Sequence, residues 1–72
     1  MYNYLLKIDG MYCSMCESHV NDVIRNNFNV KKVKSSHSKN ETLITTDEKI
    51  DEVKLKKVLH DIGYEVIEIN LK

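Results

Sequence analysis

Between Asp51 and Gly63 the apolar residues Val53, Leu55, Val58, Leu59 and Ile62 recur at the spacing that gathers them on one side of an α-helix. A helix with one apolar stripe must bury it against another element, so this segment dictates that the rest of the chain supply an apolar surface. The helix is predicted to begin near Asp51, and Gly63, directly after the stripe, to supply a left-handed C-terminal cap. The surface it needs is predicted at both ends of the chain. In "YNYLLKID", residues 2–9, Tyr4, Leu6 and Ile8 share one face of a strand while Leu5, Lys7 and Asp9 take the other, and Gly10 ends it. The final run "EVIEINLK" is β-branched and alternating, and reads as another strand.

The middle of the chain completes the pattern. From Ser14 to Asn27 the positions Val20, Val23 and Ile24, with Phe28 just beyond, recur at helical spacing, and Ser14 is the expected N-cap. Then "VKKVKSSH", a polar "SKNE" turn and "TLITT" predict a hairpin with Lys39 and Asn40 at its tip, although the weak alternation leaves its register open. The order is βαββαβ: an α+β domain spanning residues 1–72, with two helices on one face of a four-stranded antiparallel sheet.

A chain of 72 residues buries only a modest core, so a compact surface site is expected rather than a large cleft. Eleven basic and eleven acidic residues cancel, and like charges never run beyond a pair, which argues against a nucleic-acid or membrane-surface binder. The partner expected is an ion or another protein. No apolar run approaches the roughly 20 residues of a transmembrane span, and the first residues lack the features of a signal peptide. The reading is a cytoplasmic protein, where paired cysteines usually bind metal or act as catalytic thiols.

Those cysteines stand in "GMYCSMC", residues 10–16. Cys13 is predicted in the loop after the first strand and Cys16 in the first turn of the helix, where unpaired N–H groups and the helix dipole favour thiolate. Two thiolates on one turn suit a soft ion, Cu(I) in particular because it accepts few ligands, whereas zinc would need others to complete four. A thiol–disulfide oxidoreductase also uses C-x-x-C, but the chain has no proline to furnish the cis-proline that such a site faces. A structural zinc site needs a second ligand pair, and His19, His37 and His60 are too widely spaced to form one locally. Two inert buried cysteines fit poorly with the polar Ser14 between them.

"GMYCSMC", the valine and isoleucine positions of residues 20–24, and "L..VLHDIGYEV" at residues 55–66 together resemble the heavy-metal-associated domain family over the whole chain. The resemblance implies a ferredoxin-like fold and a non-enzymatic role carrying Cu(I), or in some branches zinc, cadmium or mercury. It implies Cys13 and Cys16 as ligands, Met11 as a buried anchor beneath the loop, Gly10 as the turn residue, and Tyr64 as a hydroxyl close to the metal. Tyr12 stands where zinc-exporter domains often carry an acidic ligand, which leans the ion toward Cu(I). Family members occur as free copper chaperones and as domains of metal-exporting P-type ATPases. A chain that starts with methionine and ends with its last strand is expected to be the chaperone, delivering Cu(I) by ligand exchange to such an ATPase, monomeric without metal and open to a metal-bridged dimer. The alternatives are a zinc, cadmium or mercury carrier and a thiol–disulfide oxidoreductase.

The chain also departs from the family pattern. Asn29 stands at a usual turn glycine, where asparagine tolerates the left-handed region. Ser35 and His37 fall where aliphatic side chains are usual, which is expected to weaken the second strand. Met15 is expected to be exposed at a partner surface, and His19, His37 and His60 to be surface residues rather than ligands. Lys54, Lys56 and Lys57 are expected to form a solvated face.

Overall fold

The alternating segments pair as strands and the two stripes wind as helices in the computed structural model, which describes all residues except Cys13 and Lys72. In chain order the elements are β1 (Tyr2–Asp9), α1 (Ser14–Asn27), β2 (Lys32–Ser36), β3 (Glu41–Thr46), α2 (Glu52–Asp61) and β4 (Glu65–Leu71). The sheet runs β2-β3-β1-β4 with every neighbouring pair antiparallel. This is the ferredoxin-like βαββαβ arrangement. Because β1 is central, its inner face is covered most completely: Leu6 and Ile8 are fully buried and Tyr4 nearly so. Val20 and Ile24 of α1 and Leu55 and Leu59 of α2 are fully buried in the same core, whereas Val53, placed in the same stripe, is 78% exposed in the first turn of α2, and Ile62, past the helix end, is 41% exposed.

Both ends of α2 follow from local chemistry. Asp51 precedes the helix in an extended conformation, and its Oδ1 accepts from the N–H groups of Val53 at 3.0 Å and Lys54 at 3.2 Å. At the other end Gly63 adopts φ +93°, which brings its N–H to the His60 carbonyl at 3.0 Å and the Tyr64 N–H to the Leu59 carbonyl at 2.9 Å. This pair of bonds is the Schellman closure, accompanied by the buried side chains of Leu59 and Tyr64. Tyr64 is therefore held by the helix end rather than by a loose loop.

β4 does not alternate strictly. Its pairing with β1 slips between Lys7 and Ile8: Glu68 lies opposite Lys7 and Val66 opposite Ile8, which leaves Ile67 as the extra residue of a bulge. Strict alternation would put Val66 and Ile69 on opposite faces. The bulge turns both toward the core and accounts for Ile67 being largely exposed.

The register of the hairpin is fixed by pairs such as Val33 with Ile44 and Ser35 with Thr42. Asn40, at its tip, has φ 52° and is the one non-glycine residue with positive φ among the described residues. Asn29 therefore does not take the left-handed conformation expected of it. Its carbonyl instead accepts the Thr46 hydroxyl at 3.0 Å, so the chain turns there without a glycine-like geometry. Ser14 is already the first residue of α1 rather than the residue before it. A small polar side chain suits that position equally, because its N–H has no helical partner.

Ser35, which stands where an aliphatic side chain is usual, is seated in β2 by hydrogen bonds. The Ser35 hydroxyl donates to Asn21 Oδ1 at 2.6 Å and lies 2.9 Å from Thr42 Oγ1. With the single Ser35 proton given to Asn21, the fully buried Thr42 hydroxyl is left to donate to Ser35. A chain of hydrogen bonds takes the place of aliphatic packing. Lys54 also departs from a purely solvated role: its Nζ donates to the Asn27 carbonyl at 3.3 Å, at the C-terminus of α1, and lies 5.2 Å from the centre of the Phe28 ring.

Candidate metal-binding site

The loop after β1 is shaped by Gly10. Its φ is +107°, and a Cβ built there would sit 3.1 Å from Tyr64 Cδ1 and 3.5 Å from the Gly63 carbonyl oxygen. The backbone conformation thus calls for glycine, and the Tyr64 ring would have to give way by a few tenths of an ångström to admit any side chain. The next side chain, Met11, is 1% exposed and enters the core, whereas Tyr12 is 81% exposed. The loop is pinned by one side chain and presents the following one to solvent.

Gly10 and Tyr64, named separately in the sequence, are therefore neighbours in space. Met11 and Tyr64 both belong to the core cluster of the domain. Cys16 lies in the first turn of α1, half-buried and packed against that same cluster. Cys13 lies outside the described residues. Among the described residues no group of three or more His, Cys, Asp or Glu side chains comes together as a metal site. Met15, beside Cys16, is 68% exposed, as expected of a residue at a partner surface.

The histidines are accounted for elsewhere. His19 lines an open depression with Asp22, Val23 and Ile62. His60 Nδ1 lies 3.0 Å from Glu65 Oε1 at the surface. His37, in the turn after β2, meets Glu17: Oε2 accepts from the His37 backbone N–H at 2.6 Å and lies 2.6 Å from the ring Nδ1. The backbone bond first, and the ring bond second, hold the Glu17 carboxyl below the usual carboxylate range.

Glu17 and Asn21 are the residues that reading the sequence missed. They stand one helical turn apart, at i and i+4, and receive His37 and Ser35, which are two residues apart. That match of a helical spacing to a strand spacing was present in the sequence. It carries no apolar signal, and it becomes meaningful only once α1 is known to lie along β2.

Comparison with known proteins places the fold. No curated protein sequence matches the chain. Among solved structures it is similar to the yeast copper transporter domain CCC2A, determined in apo and Cu(I) loaded states, with a TM-score of 0.78 and 27% identity over 94% of this chain and 97% of that one. It is similar to the CopZ metallochaperone, with a TM-score of 0.78 and 25% identity over 90% of this chain and 98% of that one. The N-terminal domain of ZntA in its Zn(II) form shares the fold, with a TM-score of 0.80 and 23% identity over 90% of this chain and 88% of that one. Residues 5–65 match the heavy-metal-associated domain, a span that runs from the strand before the cysteine pair to the strand after Tyr64, and the chain is a member of that family.

Proposed function

We propose that the protein carries Cu(I) on Cys13 and Cys16 and passes it, by exchange of thiolate ligands, to a metal-accepting domain such as that of a copper-exporting P-type ATPase in the cytoplasm. The observation that supports this reading is the loop itself: Gly10 at positive φ close to Tyr64, then the buried Met11, leading into the helix turn that bears Cys16. The buried Met11 anchors the loop that carries the motif. Sulfur ligands at a helix N-terminus favour thiolate and a soft cation. The neighbouring Tyr12 adds no carboxylate oxygen of the kind a divalent ion would recruit.

Delivery follows from the same features. A thiolate of the acceptor joins the ion, one thiolate of this chain leaves, and the ion passes through shared coordination without entering solution. The exposed Met15 and Tyr12 border the site and offer apolar area for a brief encounter. Tyr64 serves as a wall of the site whose hydroxyl tunes retention.

Competition titration of the reduced protein with a Cu(I) chelator tests the proposal. One Cu(I) per chain is expected, with high-affinity binding lost in Cys13→Ser and in Cys16→Ser while the circular dichroism spectrum is kept. A preference for Zn(II) over Cu(I) in parallel titrations would move the reading to a divalent carrier. Unchanged Cu(I) affinity in the double serine variant would sink it.

A further inference from the structure

The first turn of α1 is tied to the β2–β3 turn through one carboxylate oxygen. Glu17 follows Cys16 directly, and its Oε2 takes both the backbone N–H and the ring nitrogen of His37, each at 2.6 Å and 20 positions away in sequence. Four positions later Asn21 takes the Ser35 hydroxyl at 2.6 Å, so the same edge of the helix is fastened twice to β2 and the turn after it. Helix N-termini open readily, because their first N–H groups have no partner within the helix and few bonds hold the first turn. Opening of this turn would carry the Cys16 backbone, and its sulfur, away from the core cluster on which it packs.

We infer that Glu17 is a positioning residue: by fastening the first turn of α1 to the β2–β3 turn, it slows the opening that releases an ion from Cys16 and so sets the rate of metal exchange. This rests on the carrier reading above. Glu17 need not touch the ion to act. The contact is specific in form, since both donors converge on one oxygen and one of them is a backbone N–H that no substitution at position 37 except proline removes.

The test compares Glu17→Ala, Glu17→Gln and His37→Ala with the parent in two measurements. In the metal-free protein, hydrogen exchange is followed at the amides of Ser18, His19 and Val20, whose helical partners are the carbonyls of residues 14 to 16. In the loaded protein, loss of Cu(I) to an excess of a Cu(I) chelator is timed. Glu17→Ala, which removes both bonds to His37, is expected to accelerate both by about three- to fivefold, a modest effect because both bonds are exposed to water. His37→Ala should give a smaller acceleration, because the backbone donor remains. Glu17→Gln should stay close to the parent, because an amide oxygen accepts the same N–H. Lys31→Ala, which loses a 3.2 Å pair with Asp47 elsewhere, should release Cu(I) at the parent rate. Release from Glu17→Ala at the parent rate overturns the inference, as does Glu17→Gln behaving like Glu17→Ala. A parent that binds no Cu(I) overturns the carrier reading and this inference with it. Binding with unchanged release overturns the inference alone.

Discussion

α1 and α2 cover the same face of one sheet, but they are fastened to it differently. α2 buries Leu55 and Leu59 completely, and its two ends are fixed by the Asp51 cap and the Gly63 closure. α1 buries Val20 and Ile24 but meets β2 and its following turn through Glu17, Asn21, Ser35 and His37. Apolar contact stabilises in proportion to area and tolerates small displacements, whereas a hydrogen bond requires both partners in place and contributes little net once water can replace either. α2 is thus the firm side of the layer and holds Tyr64. The beginning of α1, which holds Cys16, is the side that small changes can loosen.

The largest effect expected from this contrast is on the firm side. Leu59→Ala should lower stability by about 2–5 kcal/mol in urea titration, as a large core truncation does. It should also release Tyr64, because Leu59 supplies the apolar half of the helix closure. A loss below about 1 kcal/mol would show that α2 is held by its caps rather than by its stripe.

A smaller effect is expected in the polar seam, and there its sign can be reversed. Ser35→Ala leaves the buried Thr42 hydroxyl without its partner and should cost about 1–3 kcal/mol. Adding Thr42→Val removes the stranded hydroxyl at nearly constant shape. The double variant should therefore be more stable than Ser35→Ala alone. Additive losses, within about 0.5 kcal/mol, would mean that the two hydroxyls are not coupled.

The least effect concerns protonation of Glu17. Its folded-state carboxyl is held down, so its contact with His37 contributes above the usual carboxylate range and is lost as pH falls through the lowered value. Following the side-chain carboxyl by NMR, the Glu17 midpoint should lie below that of an ordinary glutamate and rise only partway in His37→Ala, because the backbone N–H has the larger share of the effect and survives the substitution. A full return to the ordinary value would assign the whole effect to the ring.

The same contrast explains how much the sequence disclosed. The ends of α2 were legible almost to the residue, because Asp51 and Gly63 each carry a strong local preference, but its stripe was drawn too wide, since Val53 and Ile62 at its two ends are exposed. The motif at residues 10–16 and the Gly63-Tyr64 pair were legible as a resemblance, and the contact between Gly10 and Tyr64 gives that resemblance a steric reason. The bulge at Ile67 was not legible, since "VIEI" reads as simple alternation until its register against β1 is known. The conformation of Asn29 was misjudged because tolerance of the left-handed region is not a requirement for it. The seam of Glu17, Asn21, Ser35 and His37 stayed hidden because polar residues on a helix and a strand look solvated until the two are laid side by side.

The fastening of α2 at both ends has a consequence for how the chain can change in length. One residue more or fewer between Asp51 and Gly63 would rotate everything beyond it by about 100° and shift it by about 1.5 Å. The Schellman closure would then deliver the aromatic ring to a different side of the helix, off the glycine against which it now rests. Substitutions along this segment are graded in their effect, but an insertion or deletion there is all or nothing for the placement of Tyr64 near Gly10. The number of residues from Asp51 to Tyr64 thus fixes where that ring lies as firmly as its own packing does.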